Sequence, residues 1–156
     1  DEVVIGLVKD RLGEDDAQKG FILDGFPRTL VQAEALKQMG PEIDRKVSMV
    51  VDIVVEDSEL VRRISGRRVC SKCGASYHIQ DMKPQKEGIC DRCGTKLIQR
   101  KDDNEASLQI RLENYYKQTA PLQDFYKKEG VYHGFDGKVG AQTLFEEICS
   151  LLEANK

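Results

Sequence analysis

The sequence predicts an α/β fold in which a mainly parallel sheet, flanked by helices, is interrupted by a small metal-held insertion. Three observations carry this expectation. Short apolar runs alternate with helix-spaced stretches, the order that builds parallel sheets covered by helices. Residues 67–100 abandon that rhythm and are rich in Cys, Lys, Gly and Pro but poor in aliphatic side chains. Within them Cys70-x-x-Cys73 and Cys90-x-x-Cys93 repeat one spacing, each followed directly by a glycine, Gly74 or Gly94.

Taken in order, residues 2–12 place Val4, Leu7, Val8 and Leu12 on one helical face that ends at Gly13. Phe21-Ile22-Leu23 is an apolar run without polar alternation, expected as a strand covered on both faces, and it stops at Asp24. Gly25 and Pro27 shape the following turn, and Arg28 sets a forked, permanent cation beside the acid. Open α/β sheets bind ligands beyond the carboxyl ends of their strands, so an acid and an arginine here point to a magnesium-bearing phosphate substrate. Leu30, Ala33 and Leu36 follow at helical spacing as far as Gly40-Pro41. Residues 48–55 form the clearest strand, rich in β-branched side chains. Asp57 or Ser58 is expected to cap a helix that turns Leu60, Val61 and Ile64 inward and closes at Gly66.

After the insertion, Asp103 or Asn104 starts a long helix with Leu108, Arg111, Leu112 and Tyr115 at spacings of three and four. Pro121 divides it from a continuation through Leu122, Phe125 and Tyr126. Residues 131–135 form a third strand, turning at Asp136-Gly137-Lys138, and the last helix carries Leu144, Phe145, Ile148, Leu151 and Leu152 inward. The expected organisation is a core part at 1–66, the insertion at 67–103 and a second core part at 104–156.

The net charge of −3 argues against a general nucleic-acid surface. No long apolar run or charged-then-apolar leader is present, so neither a membrane span nor a secretory signal is expected. Five Cys, an odd number in two close pairs, suit a metal site with one spare thiol better than a disulfide framework, and favour a reducing cytoplasm. The spare, Cys149, is expected as a small buried hydrophobe. Two knuckles bring Cys70, Cys73, Cys90 and Cys93 round one point in the tetrahedral thiolate shell that zinc accepts, with iron as the minority alternative. Such a shell has no open position, so the metal is structural.

Arg63 and Arg67 lie four apart, Arg100 ends the insertion and Arg111 lies beyond it. Cations flanking the insertion on both sides could be carried over the end of the sheet to grip phosphate oxygens. For any single arginine a solvated basic face is the plainer reading. Asp102 and Asp103 either form ion pairs or cap the next helix, and capping is expected of one of them. His78 and His133 have no partner at nucleophile spacing and receive no catalytic role.

Asp24-Gly25-Phe26-Pro27-Arg28-Thr29 followed by Gln32 resembles the AMP-site signature of adenylate kinases. Gly66-Arg67-Arg68 looks like the start of their lid, and Gln99-Arg100-Lys101-Asp102-Asp103-Asn104 like its exit. Lys117-Gln118-Thr119-Ala120-Pro121-Leu122 also looks familial, and the four Cys resemble the zinc-bearing lid of many bacterial members. The resemblance spans essentially the whole chain. It implies a P-loop nucleoside monophosphate kinase fold and the reversible reaction of ATP with AMP to two ADP, with structural Zn2+ and with Mg2+ carried by ATP. By position it implies that Gly25, Phe26, Pro27 and Arg28 line the AMP site, Arg28 on the phosphate, with Gln32 on the adenine edge and Val4 nearby. It puts Arg63 against the adenine of ATP, and Ser76, Tyr77 and the backbone at Lys138 and Val139 also on ATP. Arg67, Arg100 and Arg111 would gather the phosphates through transfer, the last two also serving AMP, and Asp24 would hold water round magnesium. A cytoplasmic monomer with no nucleic-acid or membrane partner is implied.

The chain has no Gly-x-x-x-x-Gly-Lys-Ser/Thr loop. The resemblance therefore implies a C-terminal portion, without the family's phosphate loop, its strand and most of the AMP-binding segment, and inactive alone. The alternative readings are a zinc-ribbon module for nucleic acid or protein, and a kinase for another nucleoside monophosphate.

Overall fold

A computed structural model describes residues 1–155. The chain forms two compact units, one from residues 1–54 with the chain from 114 onward, the other from 55–113.

In the first unit the sheet is built from β1 (Val50–Val54) and β5 (Tyr132–Asp136), paired in parallel with Val50 opposite Tyr132 and Val54 opposite Asp136. Helices α1 (Glu2–Leu12), α2 (Leu30–Met39), α5 (Pro121–Lys128) and α6 (Ala141–Ala154) belong to the same unit. The core lies where α2 and α5 meet the sheet: Ala33, Leu122 and Tyr126 are buried, with Val47, Val50, Phe125, Val131 and Tyr132 against them. Asp52, inside an otherwise apolar strand, accepts hydrogen bonds from Gln123 Nε2 (2.8 Å) and Tyr132 Oη (2.7 Å). A carboxylate can sit in a strand when both neighbours donate to it.

Three expectations for this unit are corrected. Phe21-Ile22-Leu23 is not a strand, and Ile22 is 95% exposed. A strand exists through its ladder, and among the described residues β1 pairs with β5 alone, so no neighbour is placed to receive residues 21–23. The inward face expected of α6 is also not buried: Phe145 and Leu152 are exposed, and Leu144, Ile148, Leu151 and Cys149 are half-buried. An amphipathic helix buries its stripe only against a surface wide enough to meet it, and here a groove of about 920 Å3 lined by Leu36, Val47, Phe125, Cys149 and Leu152 remains open. In α1, Leu12 is buried, but Val4 and Leu7 are exposed.

The second unit begins with α3 (Asp57–Gly66), whose N-cap is Glu56 rather than Asp57 or Ser58. Strands β2 (Arg67–Cys70), β3 (Ser76–His78) and β4 (Leu97–Ile98) form an antiparallel sheet in the order β3-β2-β4. Its small core is Cys70, Ala75, Tyr77, Cys90 and Leu97. Helix α4 (Glu105–Asn114) leads away, and residues Tyr115–Thr119 continue it as one π-helical turn before Pro121 opens α5. Asn104 caps α4 by accepting from the Ser107 amide at 2.9 Å, so neither Asp102 nor Asp103 is the cap.

His78 fastens β3 to the end of α3. Its Nδ1 accepts from the Gln80 and Asp81 amides at 3.2 and 3.1 Å, which leaves the proton on Nε2 to be donated to the Arg62 carbonyl at 3.2 Å. The ring's Nε2 corner lies close against Gly66: a Cβ there would sit 2.6 Å from Cε1 and closer still to Nε2. Gly66→Ala is therefore expected to destabilise this unit by about 1–3 kcal/mol, the usual cost of overpacking. Urea unfolding followed in the second unit measures it. Gly66→Ala combined with His78→Ala should cost less than the two changes summed, because the smaller side chain removes the clash.

Candidate active site and metal centre

The Asp24–Thr29 turn is organised by its own backbone. Arg28 Nε donates to the Gly25 carbonyl at 2.7 Å, the Arg28 amide donates to Gln32 Oε1 at 2.7 Å, and Thr29 Oγ1 accepts from the Gln32 amide at 3.2 Å as the N-cap of α2. The Phe26–Pro27 bond is cis. Gln32 is buried, and its Nε2 donates to Asp1 Oδ1 at 2.7 Å. Thr119 Oγ1 donates to the Arg28 carbonyl at 2.9 Å and so ties the turn to the segment before α5. Gly25, Phe26, Pro27, Arg28 and Gln32 thus lie within one short loop and helix start. Asp24 is exposed at its beginning. Val4 is exposed on α1, one turn beyond Asp1. Lys138 and Val139 occupy the turn after β5, where the Lys138 amide donates to Asp136 Oδ1 at 2.8 Å.

In the second unit the arginines flanking the insertion come together. Asp103 is 1% exposed. Arg67 grips it with two hydrogen bonds, Nη2 to Oδ1 and Nε to Oδ2, the latter 2.9 Å. This pair joins residues 36 apart in sequence and clasps the two ends of the insertion, helped by Gln99 Nε2, which donates to the Asp103 carbonyl at 2.6 Å. Arg67 holds the Asp103 carboxyl below the usual carboxylate range, with the charges of Arg100 and Arg111 acting in the same direction. Arg111 donates to Asp102 on the exposed side of the same loop. Arg67, Arg100 and Arg111 are therefore neighbours round one acidic pair.

Arg63 lies on α3, where Glu59 accepts from both Arg62 and Arg63; Arg63 Nε is 2.7 Å from Glu59 Oε1. Arg62 first, then Arg63, draw the Glu59 carboxyl down to about 2. Arg62 also bridges to Asp81. Glu59 was not singled out from sequence, although its spacing of three and four from two arginines is the signal for it. Nothing in sequence spacing marks Thr119 as the tie to Arg28.

The four cysteine sulfurs all lie within 4.8 Å of one another. The shortest separations are Cys70–Cys93 at 3.4 Å, Cys73–Cys90 at 3.5 Å and Cys73–Cys93 at 3.6 Å. Metal–sulfur bonds of about 2.3 Å in a tetrahedron put sulfurs about 3.8 Å apart, close to this arrangement. Gly74 and Gly94 take φ of 72° and 70°, letting each knuckle turn back so that their amides donate to the Cys70 and Cys90 carbonyls at 3.0 and 2.9 Å. The Tyr77 hydroxyl, first among several causes, draws Cys90 down to about 6. Cys73 is driven the other way, up to about 11: a favourable Ala75 amide is outweighed chiefly by the Cys90 sulfur. Four thiolates in this space repel one another until a cation joins them, so the donor set fits a metal ion. Ser76 is exposed on β3, whereas Tyr77 points into the small core beside Cys90.

Comparison with known proteins bears on this arrangement of arginines and cysteines. A sequence model of the family described as adenylate kinase matches residues 1–131. The chain belongs to the adenylate kinase family. It is 48% identical to an adenylate kinase of Geobacillus sp. (strain WCH70) over 97% of this chain and 70% of that protein. It is 47% identical to one from Archaeoglobus fulgidus over all of this chain and 72% of that protein. A Staphylococcus aureus (strain Mu50) adenylate kinase is 46% identical over 98% of this chain and 71% of its own length. The α/β organisation with a parallel sheet and helices agrees with membership of the adenylate kinase family. Among the described residues no helix is long and apolar enough to cross a membrane.

Proposed function

We infer that this chain supplies the AMP-facing turn and the phosphate-gathering lid of an enzyme that converts ATP and AMP to two ADP. An oxygen of the AMP phosphate bonds to the γ-phosphorus of ATP as the bond from that phosphorus to the β,γ-bridging oxygen breaks, leaving ADP on both sides. Such transfer needs positioning and neutralised oxygens rather than a protein nucleophile. The single observation that carries the reading is the convergence of Arg67, Arg100 and Arg111 round Asp102 and Asp103.

In this reading Arg28 takes the AMP phosphate, Gly25, Phe26 and Pro27 line its pocket, and Gln32 and Val4 meet its adenine. Arg63, Ser76 and the backbone at Tyr77, Lys138 and Val139 serve ATP. Arg67, Arg100 and Arg111 gather the transferring phosphates, and Asp24 orders water round the Mg2+ that ATP brings. Cys70, Cys73, Cys90 and Cys93 hold a structural Zn2+, which the all-sulfur donor set favours. The insertion, 67–103, acts as the lid between core parts at 1–66 and 104–156. The enzyme works as a cytoplasmic monomer on nucleotides alone.

The test measures ADP formation from ATP and AMP by the 156-residue chain and by the same chain joined to the N-terminal segment of one of its relatives. Robust turnover is expected of the joined protein and little of the chain alone, because this sequence carries no Gly-x-x-x-x-Gly-Lys-Ser/Thr loop to cradle the phosphates of ATP. A joined protein that prefers another nucleoside monophosphate, or none, overturns the reading. Arg100 is exposed and makes no side-chain hydrogen bond or ion pair among the described residues. Arg100→Ala in the joined protein should therefore lower kcat about 10²–10³-fold, as loss of a preorganised charge partner does, while the melting temperature stays put. Metal analysis after gentle purification should find one zinc per chain; less than about half an equivalent, with thiols intact, contradicts the zinc centre.

A further inference from the structure

We propose that Tyr77 is a positioning residue of the metal centre, whose phenolic O–H donates to the Cys90 sulfur and tempers the electron density of that one ligand. The two side chains are buried together, Tyr77 8% and Cys90 1% exposed, and Tyr77 Oη lies 3.5 Å from Cys90 Sγ. The direction of the bond follows from the oxygen's other contact. The Asp91 amide donates to Tyr77 Oη at 2.8 Å, which occupies a lone pair and leaves the hydroxyl proton for the sulfur. A phenol in this position anchors the second knuckle at Asp91 and supports its first ligand at Cys90.

The four sulfurs are not equivalent in this respect. Cys73 is exposed and can receive hydrogen bonds from water, whereas Cys90 is sealed from solvent. Cys93 has Thr95 Oγ1 at 3.4 Å, a weaker and less buried partner. Outer partners of metal ligands fix their orientation and basicity, and losing one commonly costs 10–100-fold in metal affinity. Tyr77 thus acts on the metal through its hydroxyl, in addition to filling the small core with its ring.

The inference rests on the reading of the four cysteines as a metal centre, and cobalt(II) separates the two. The parent chain loaded with Co2+ should show the visible bands of a tetrahedral thiolate site; their absence overturns the centre itself. In Tyr77→Phe, a thiolate deprived of this donor gives up charge more easily, so the sulfur-to-cobalt charge-transfer band should move to longer wavelength. Transfer of zinc to a colorimetric chelator should quicken about 10-fold. Thr95→Val should move the band less. If Tyr77→Phe fails to hold metal, 3-fluorotyrosine at position 77 decides: its more acidic hydroxyl is a stronger donor and should move the band to shorter wavelength. A charge-transfer band that stays in place with an intact cobalt site overturns the role of the hydroxyl, because a ring that only filled space would leave it there.

Discussion

With a metal held at the four cysteines as proposed, stripping it is expected to unfold residues 67–100 while leaving the β1–β5 ladder intact. The apolar core of this region is small: besides two of the cysteines, Ala75, Tyr77 and Leu97 are its buried members. Strands of four, three and two residues add few backbone hydrogen bonds. Domains of this size seldom stand on packing alone and need a metal or disulfide. Binding of a structural zinc ion supplies about 10–16 kcal/mol at neutral pH in isolated fingers, and that energy becomes folding energy. Amide hydrogen exchange, with and without a chelator, reads the outcome region by region. Protection should vanish at β2, β3 and β4, persist at β1 and β5, and return when zinc is restored. Protection that survives complete metal removal would show that the region folds by itself.

Arg67→Met should be the most damaging single substitution outside the cysteines, at about 3–5 kcal/mol, because it leaves the Asp103 carboxylate buried without its partner. Asp103 is held below its ordinary pKa by Arg67, so its stabilising contribution is complete above the unfolded value near 4 and fades as pH falls through the lower folded value. Metal binding is itself pH-dependent, which would mask an acid titration. The pair is better isolated at neutral pH with Arg67→Met/Asp103→Asn, where no charge is stranded. Chemical denaturation should show the double variant recovering most of the loss. If both variants are equally weakened, the damage comes from lost packing of the arginine stem.

What the sequence disclosed and what it withheld follow from the range of the interactions. The cysteine knuckles are local: two residues between ligands and a glycine after them encode the turn, so the site could be read directly and the sulfurs do converge. The strand at Val50–Val54 was legible because β-branched side chains dominate it. Residues 21–23 carry an equally apolar pattern, yet a strand also requires a neighbour, which no periodicity reports. The Arg67–Asp103 clasp spans 36 positions, and both residues had simpler local readings, as a helix-exit cation and a helix cap. Asn104, one residue further, took the cap and released Asp103 for burial. His78 had no catalytic partner in sequence, and its structural task depends on Gly66, which spacing does not connect to it. The arginines were recognisable as a set, but their gathering round one acidic pair required the fold.

Among the described residues one side of β1 is uncovered, which bears on what that strand can pair with. Val51, Ile53 and Val54 stand exposed on a strand with unmatched amides and carbonyls, and Ile22 lies bare in the same unit. An apolar strand margin of this kind is a template for any other extended chain, including a second copy of itself. A lysine in place of Val51 or Ile53 would blunt the margin by placing charge where a neighbouring molecule would otherwise add on.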